Sequence, residues 1–553
     1  MSKKEKGLSK QRIEEIEGKM SNDWKEWETV CEGIWGKEAH AEKIDCSKPS
    51  WSTFATTNPV NENSKGIRGC VAFHKAPCAF KEESRGQGCT HCALMLENKD
   101  LSSIKATDQI KAVETAITDI TKELGQTPPI LEVLPHGNFL NDDEVTQETQ
   151  DGIVNLAAEN NGVLKLSIES RLKYITVEKI RHLLSLIRDD QVLEIFIGLE
   201  STDPFVLGKI IRKGFTLEQF EKKIEEISNE LTDEEKKRLE FSIYHFFKPP
   251  YLTEEESIKA AVAMGEEIQE MEKKTGIHFS TKFEPAIISR GTFQKHLFDQ
   301  EKFTPPNYFS VAEIVAESFF KKFSDSIKFG QRDDIDDFKM VAAIPNIENK
   351  QMFSPFDFMV YNAVQRFNAD QDIWGFCADM SIVFKNAPEF QQWEEEVYGK
   401  IGESSLSKLF KMYNEQDFGD EYKERIEFQK KIWMLLDAAE YNNQELAKDL
   451  QRRGKEGASS IKAKMISLFL QADLKILQIK NVKFVDAGKS SNEPKLKDAH
   501  PDFADATEKA VYQIEVIIEN EAGLPQNIWA KIPLNPVPLD LKNLTFIYGD
   551  KNI

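Results

Sequence analysis

From about residue 66 to residue 286 the chain alternates between short apolar runs and longer amphipathic stretches. The runs are GIRGCVAF (66–73), PILEVLP (129–135), VLKLSIE (163–169), VLEIFIGLE (192–200), EFSIYHFF (240–247) and HFSTKFE (278–284). Their richness in Val, Ile and Phe predicts strands, and the segments between them, 107–124, 145–159, 176–188, 216–229 and 254–274, predict helices. Strands that alternate with helices imply parallel βαβ units. Six such units predict an α/β fold, an incomplete TIM-type barrel of (βα)6 form. In barrels of this kind the chemistry sits at the C-terminal strand ends, so functional residues are expected just after each run.

The rhythm is confined to this region. Residues 1–65 read as a charged N-terminal extension, helical at first, with 47–65 an irregular polar connection. The barrel is expected over 66–320, with 310–330 helical and the rhythm lost beyond Pro305-Pro306. A mostly helical C-terminal region follows over 321–475, and a small β-containing module over 476–553 has strands at YQIEVIIEN, IWAKIPL and LTFIY. The aromatic stretch IWGFCADMSIVF (373–384) reads as core.

Composition narrows the class of protein. An apolar fraction of 40% with 30% charged residues fits a chain that buries large cores. No stretch has the roughly 18 uninterrupted apolar residues of a membrane helix, and the N-terminus lacks the apolar centre of a secretory signal. A cytoplasmic protein without membrane contact is expected. The net charge of −21 leaves no broad basic footprint for a polyanion.

Four of the seven cysteines, Cys70, Cys78, Cys89 and Cys92, fall in one window that begins in the first predicted strand and runs on after it. A Cys-x-x-Cys pair alone serves zinc sites, redox pairs and clusters alike. Structural zinc sites usually offer two such pairs, whereas here Cys70 and Cys78 stand apart. Soft thiolate ligands also suit an iron–sulfur cluster, and three from one loop would leave one iron open. Spacing by itself keeps zinc, a cluster and unrelated thiols all open.

Further motifs, in order along the chain, carry a resemblance: C-x10-C-T-H-C (78–92), GNFLNDDEV (137–145), SIESRLKYIT (167–176), EIFIGLES (194–201), IIRKGFT (210–216), KPPYLTEEE (248–256), then GTF (291–293) and FTPPNYFS (303–310). Over about residues 66–320 the chain resembles the radical SAM superfamily, in the branch of the Elongator catalytic subunit and the archaeosine-type proteins. The resemblance implies a [4Fe-4S] cluster on Cys78, Cys89 and Cys92, with Cys70 a spare thiol, and S-adenosyl-L-methionine as cofactor. It implies that His91 packs beside the adenine, and that Gly137 and Asn138 meet the methionyl amino group. Glu169 and Glu200 are implied to hold the ribose hydroxyls, and Lys213 to face the carboxylate.

Each residue has a plainer alternative. Glu169 could pair with Arg171 at the barrel rim, Glu200 could cap the next helix, and Gly137 could serve a turn. The chain departs from the branch where Ala-Leu-Met follows Cys92, and residues 330–553 show no acetyltransferase pattern. The resemblance implies reductive cleavage of S-adenosyl-L-methionine to a 5′-deoxyadenosyl radical that abstracts hydrogen, with a flavodoxin or ferredoxin as electron donor. Its substrate is a peptide, a small molecule or tRNA, the last favoured by the branch and disfavoured by the charge. A zinc-binding barrel without catalysis is the other class of reading.

Overall fold

The structure is a computed structural model. It describes residues 7–35, 50–57, 65–72, 78–80, 84, 88–92, 105–135, 137–289, 292–330, 340–342, 355–427, 429–430, 475–486, 510–519, 525–533 and 546–548. Two compact units divide it: one of Met1–Gln351, Val360–Cys377 and Ala387–Asp417, the other of Met352–Met359, Ala378–Asn386 and Phe418–Ile553.

In the first unit every expected run forms a strand: β2 (Lys65–Ala72), β3 (Ile130–Leu134), β4 (Lys165–Glu169), β5 (Val192–Glu200), β6 (Leu239–Phe247) and β7 (His278–Pro285). They pair in parallel and in chain order, and the sheet gains two strands. Residues 47–65 are not wholly irregular: β1 (Ser50–Thr57) lies antiparallel to β2. Nor is 310–330 helical throughout, because β9 (Ile327–Phe329) adds a seventh parallel strand beside β7. The first is Ser- and Thr-rich and the second only IKF, so neither leaves an apolar run to read. β1 and β9 remain opposite edges, as in a partial barrel that does not close.

The two faces of the sheet differ in chemistry. Alternate strand residues such as Leu131, Val133, Leu166, Ile168, Leu193 and Ile195 are fully buried in the main core, together with the helix residues Ile117, Ile153, Phe220 and Met264. The residues between them, pointing to the other face by the two-residue strand period, include Glu132, Ser167, Glu194 and Ser242. Arg68 pairs with Glu132 at 2.6 Å, Ser167 and Ser242 both donate to Glu194, and Lys165 pairs with Glu240. A buried carboxylate is tolerable only when so engaged.

The crossover helices start where the sequence supplies a cap. Thr216 and Thr253 form capping boxes with Gln219 and Glu256, and Thr146 and Thr176 cap through their hydroxyls. Such caps contribute about 1 kcal/mol each. Helix Leu217–Glu230 buries Phe220, Ile224 and Ile227, the i, i+4, i+7 spacing of one face. The N-terminal helix Lys10–Trp35 buries Ile16 completely, worth roughly 1.5–3 kcal/mol.

After the barrel come β8 (Ile288–Ser289), which pairs with β10 (Met340–Ala342), and helices Tyr308–Lys321, Pro355–Asp370, Ile373–Asn386, Pro388–Tyr398 and Ser405–Asn414. The stretch 373–384 is helical and its Phe376 and Cys377 are buried, as a core segment should be. The part of the expected helical region over 431–474 lies outside the described residues. In the β-containing module, β11 (Lys475–Asp486) joins β12 (Ala510–Glu519), β13 (Pro525–Pro533) and β14 (Phe546–Tyr548) in an antiparallel sheet. Among the described residues no helix is long and apolar enough to cross a membrane.

The edge strand β9 is closed by a side chain. Asn368 accepts the Phe329 N–H at 2.9 Å and donates to the Phe329 carbonyl at 2.8 Å, standing in for a neighbouring strand. Replacing it leaves two buried backbone groups without partners, at about 1–3 kcal/mol each. Asn368→Ala should therefore lower the unfolding free energy by about 2–4 kcal/mol in urea titration. A loss under about 0.5 kcal/mol, the size of a neutral surface change, would refute this role.

Candidate functional site

The candidate residues gather at one end of the sheet because each follows the carboxyl end of a parallel strand. The cysteine segment follows β2, Gly137 and Asn138 follow β3, Glu169 ends β4, Glu200 ends β5, and Lys213 lies on the segment after it. Glu200 leaves the strand with φ of 67°, at an irregularity in the register between β5 and β6. The left-handed turn directs its carboxylate to Lys213, and Oε1 lies 2.8 Å from Nζ. Gly198 makes room for this pair, since a Cβ there would stand 2.2 Å from the Lys213 ammonium.

Both members of the pair are buried. Burial opposes the Glu200 carboxylate, but Lys213 and then His91 outweigh it, so its pKa is lowered. Burial likewise opposes the Lys213 ammonium, and Glu200 outweighs it, so that pKa is raised. The depressed Glu200 contributes stability above the ordinary carboxylate range and loses it as pH falls. The raised Lys213 contributes below the ordinary lysine range and loses it as pH rises, so the pair is intact around neutrality. His91 Nε2 is 4.0 Å from the same Glu200 oxygen, and its ring stacks on Phe246 with centroids 4.7 Å apart. Burial lowers the His91 pKa to about 4, leaving a neutral imidazole.

A second set of contacts ties the cysteines to the strand ends. Asn138 donates from Nδ2 toward the Cys78 sulfur at 3.7 Å, and Arg171 from Nη1 toward the Cys89 sulfur at 3.7 Å. Asn138 also accepts the Arg171 backbone N–H at 2.9 Å and hydrogen-bonds Glu144, whose Oε1 accepts the Ala79 N–H at 2.9 Å. The Arg171 guanidinium donates to the Lys213 carbonyl and lies 3.8 Å over the Phe80 ring. Gly214, with φ of 85°, leaves room for that ring. Arg171 is thus engaged by Cys89, Lys213 and Phe80. Glu200 does not cap the following segment; Asp203 does, accepting the Phe205 and Val206 N–H groups at 2.8 and 3.0 Å.

The sites read from sequence are therefore partly joined. Asn138 meets Cys78, while His91, Glu200 and Lys213 form one cluster. Glu169 offers its carbonyl to the Phe139 N–H at 2.8 Å and acts electrostatically on the Tyr244 hydroxyl. Gly137 is half-buried just after β3. Among the described residues no three His, Cys, Asp or Glu side chains close on one another as a metal site. The donor set nonetheless suits a sulfur-bound group: two N–H donors aim at cysteine sulfurs, and hydrogen bonds of this kind favour the thiolate. Suited to a polar cofactor, His91 Nδ1 and Ser170 Oγ are buried and have no hydrogen-bond partner among the described residues. Glu200 Oε2 has no hydrogen-bond partner among the described residues. Sequence reasoning gave Arg171 only a rim role; its neighbour Glu169 drew attention, and the contacts that matter come from residues 80, 89 and 213.

No family model matches the chain. Among curated proteins it is similar to an uncharacterized protein of Methanocaldococcus jannaschii, 25% identical over 241 residues, 43% of this chain and 61% of that protein. It is similar to the archaeosine synthase subunit beta of Methanosarcina acetivorans, 22% identical over 252 residues, covering 45% of this chain and 66% of the relative. The archaeosine synthase subunit beta of Thermococcus kodakarensis is 26% identical over 319 residues, 56% of this chain and 89% of the relative. The chain thus spans less than two thirds of the length of the first two relatives. Among solved structures, an N-terminally truncated Elp3 of Methanocaldococcus infernus aligns over 79% of this chain and 78% of its own, at 11% identity and a TM-score of 0.32.

Removing one partner of a buried ion pair leaves the other uncompensated, at about 3–5 kcal/mol. Lys213→Met alone should destabilise the apoprotein by about that amount, and the double variant with Glu200→Gln should regain more than half of it. A double-mutant cycle by chemical denaturation measures the coupling, and strictly additive losses would show that the pair does not hold the site. The ordered motifs and the similarity to two archaeosine synthase beta subunits agree in what the chain resembles, the archaeosine-type branch of the radical SAM proteins.

Proposed function

We propose that the chain is a radical SAM enzyme whose cluster is held by Cys78, Cys89 and Cys92. The observation that carries this reading is the convergence of the Asn138 and Arg171 N–H donors on the Cys78 and Cys89 sulfurs at the C-terminal ends of parallel strands. When bound, the [4Fe-4S] cluster and S-adenosyl-L-methionine supply reductive sulfonium cleavage and the hydrogen-abstracting power of a 5′-deoxyadenosyl radical. A flavodoxin or ferredoxin would supply the electron.

The chain's own residues bind, orient and shield. Asn138 and Arg171 favour the thiolate form of their cysteines by donating hydrogen bonds. Glu200 Oε2 accepts a ribose hydroxyl while Oε1 stays with Lys213, and Glu169 accepts the second. Lys213 offers its cation to the methionyl carboxylate, and the Gly137-Asn138 segment meets the amino group. His91, flat against Phe246, presents a neutral ring beside the adenine. The names of two relatives, archaeosine synthase subunit beta, support tRNA as the substrate class over a peptide or small metabolite.

The test is anaerobic reconstitution with iron and sulfide, then dithionite and S-adenosyl-L-methionine. The expected outcome is brown cluster absorbance and 5′-deoxyadenosine. Cys78→Ala should abolish both, and Cys70→Ala neither. A preparation that retains one zinc and yields no 5′-deoxyadenosine would instead make this a zinc-binding barrel. For the substrate class, tRNA binding is expected; its absence moves the substrate to a peptide or metabolite.

A further inference from the structure

The N-terminal helix lies against the segments that hold the cysteine loop. Thr90, in the middle of Cys89-Thr90-His91-Cys92, uses three polar groups at once. Its N–H donates to the Ile211 carbonyl at 3.1 Å, its hydroxyl to the Ile210 carbonyl at 2.8 Å, and its carbonyl accepts the Phe293 N–H at 3.1 Å. The loop is thus suspended between the segment after β5 and the start of helix Phe293–Asp299.

One side chain from far away in sequence touches both. The guanidinium of Arg212, adjacent to Ile211, lies 3.6 Å over the Trp24 ring, and Trp24 is 4.9 Å from the Phe293 ring. Arg212 is held in the left-handed region, φ of 60°, which a residue other than glycine keeps only under constraint. The helix is itself anchored around these contacts. Asp203 accepts the Leu8 N–H at 2.7 Å, Arg12 pairs with Glu256 at 2.7 Å, and Asp23 accepts the Tyr251 hydroxyl at 2.9 Å. Ile16 is buried among Ile210, Ile211 and Phe293 in one apolar cluster.

We propose that Trp24 is a positioning residue for the Cys89–Cys92 loop, clamping Arg212 and Phe293 so that Thr90 holds both thiols at the strand ends. The N-terminal extension is then a working part of the candidate cysteine site, not a peripheral appendage. The inference deepens the radical SAM reading, but the placement of the thiols is measurable without any cofactor.

The test uses the full-length, reduced, metal-free chain and follows iodoacetamide labelling at each cysteine by mass spectrometry. Trp24→Ala should raise the Cys89 rate about tenfold, the size expected for a lost, partly desolvated cation–π contact. Trp24→Phe keeps a ring over Arg212 and should stay within about threefold of wild type. Cys377, buried in helix Ile373–Asn386, should keep its rate in both variants. An unchanged Cys89 rate in Trp24→Ala, or a rise matched at Cys377, would overturn the clamp and leave a merely structural helix. Faster Cys89 labelling in a protein that never forms 5′-deoxyadenosine would sustain the clamp and sink the enzymatic reading.

Discussion

The mouth of the barrel depends on the buried pair of Glu200 and Lys213. An ammonium in an apolar setting loses its hydration and needs a fixed counter-charge. Glu200 supplies it only because the chain turns left-handed at that residue and because Gly198 carries no side chain. With Lys213 fixed, its carbonyl receives Arg171; with Arg171 fixed, Phe80 is covered and the Cys89 sulfur gains a donor. Each contact restricts the next, so one ion pair orders groups that follow three different strands.

The same economy of charge governs the sheet. One face is sealed by crossover helices and is apolar, and the other carries Arg68, Glu132, Lys165, Glu194 and Glu240. An incomplete barrel cannot fill its concave side with layers of aliphatic side chains as a closed barrel does. Cross-strand pairs at neighbouring positions satisfy these groups instead, and the stacked rings of Phe196 and Tyr244, with centroids 5.2 Å apart, have Lys282 beside them. A polar concave side that leads to the strand ends is the surface on which a polar substrate can be accepted.

How much was legible follows from what kind of contact each feature rests on. The six long parallel strands carry their own apolar signal, and the terminal acids Glu169 and Glu200 stand out against it. β1 lacks that signal because its Ser and Thr residues serve an edge, and β9 is too short to have a pattern. Arg171 illustrates the harder case: its neighbour Glu169 suggested a local pair, while Lys213, Cys89 and Phe80 compete for the guanidinium from a distance in sequence. The Thr90 contacts are equally long-range. The Cys-x-x-Cys spacing marked the thiols, but nothing in the spacing could name the carbonyls that suspend them.

The tally of charges at the mouth also sharpens the meaning of the net −21. Lys213 is engaged by Glu200, Lys248 by Glu254 at 2.6 Å, Arg12 by Glu256, and Arg212 lies against Trp24. These cations are used to hold loops, and Lys213, Lys248 and Arg12 are each largely neutralised by the carboxylate beside them, whereas Arg212 is held by a ring. A polyanion that approached them would gain little long-range attraction, because a cation already paired with a carboxylate contributes only a short-range dipole. For the proposed tRNA substrate, recognition at this mouth would rest on contacts to an individual nucleotide, through rings and hydrogen bonds, more than on counter-ion release along a backbone.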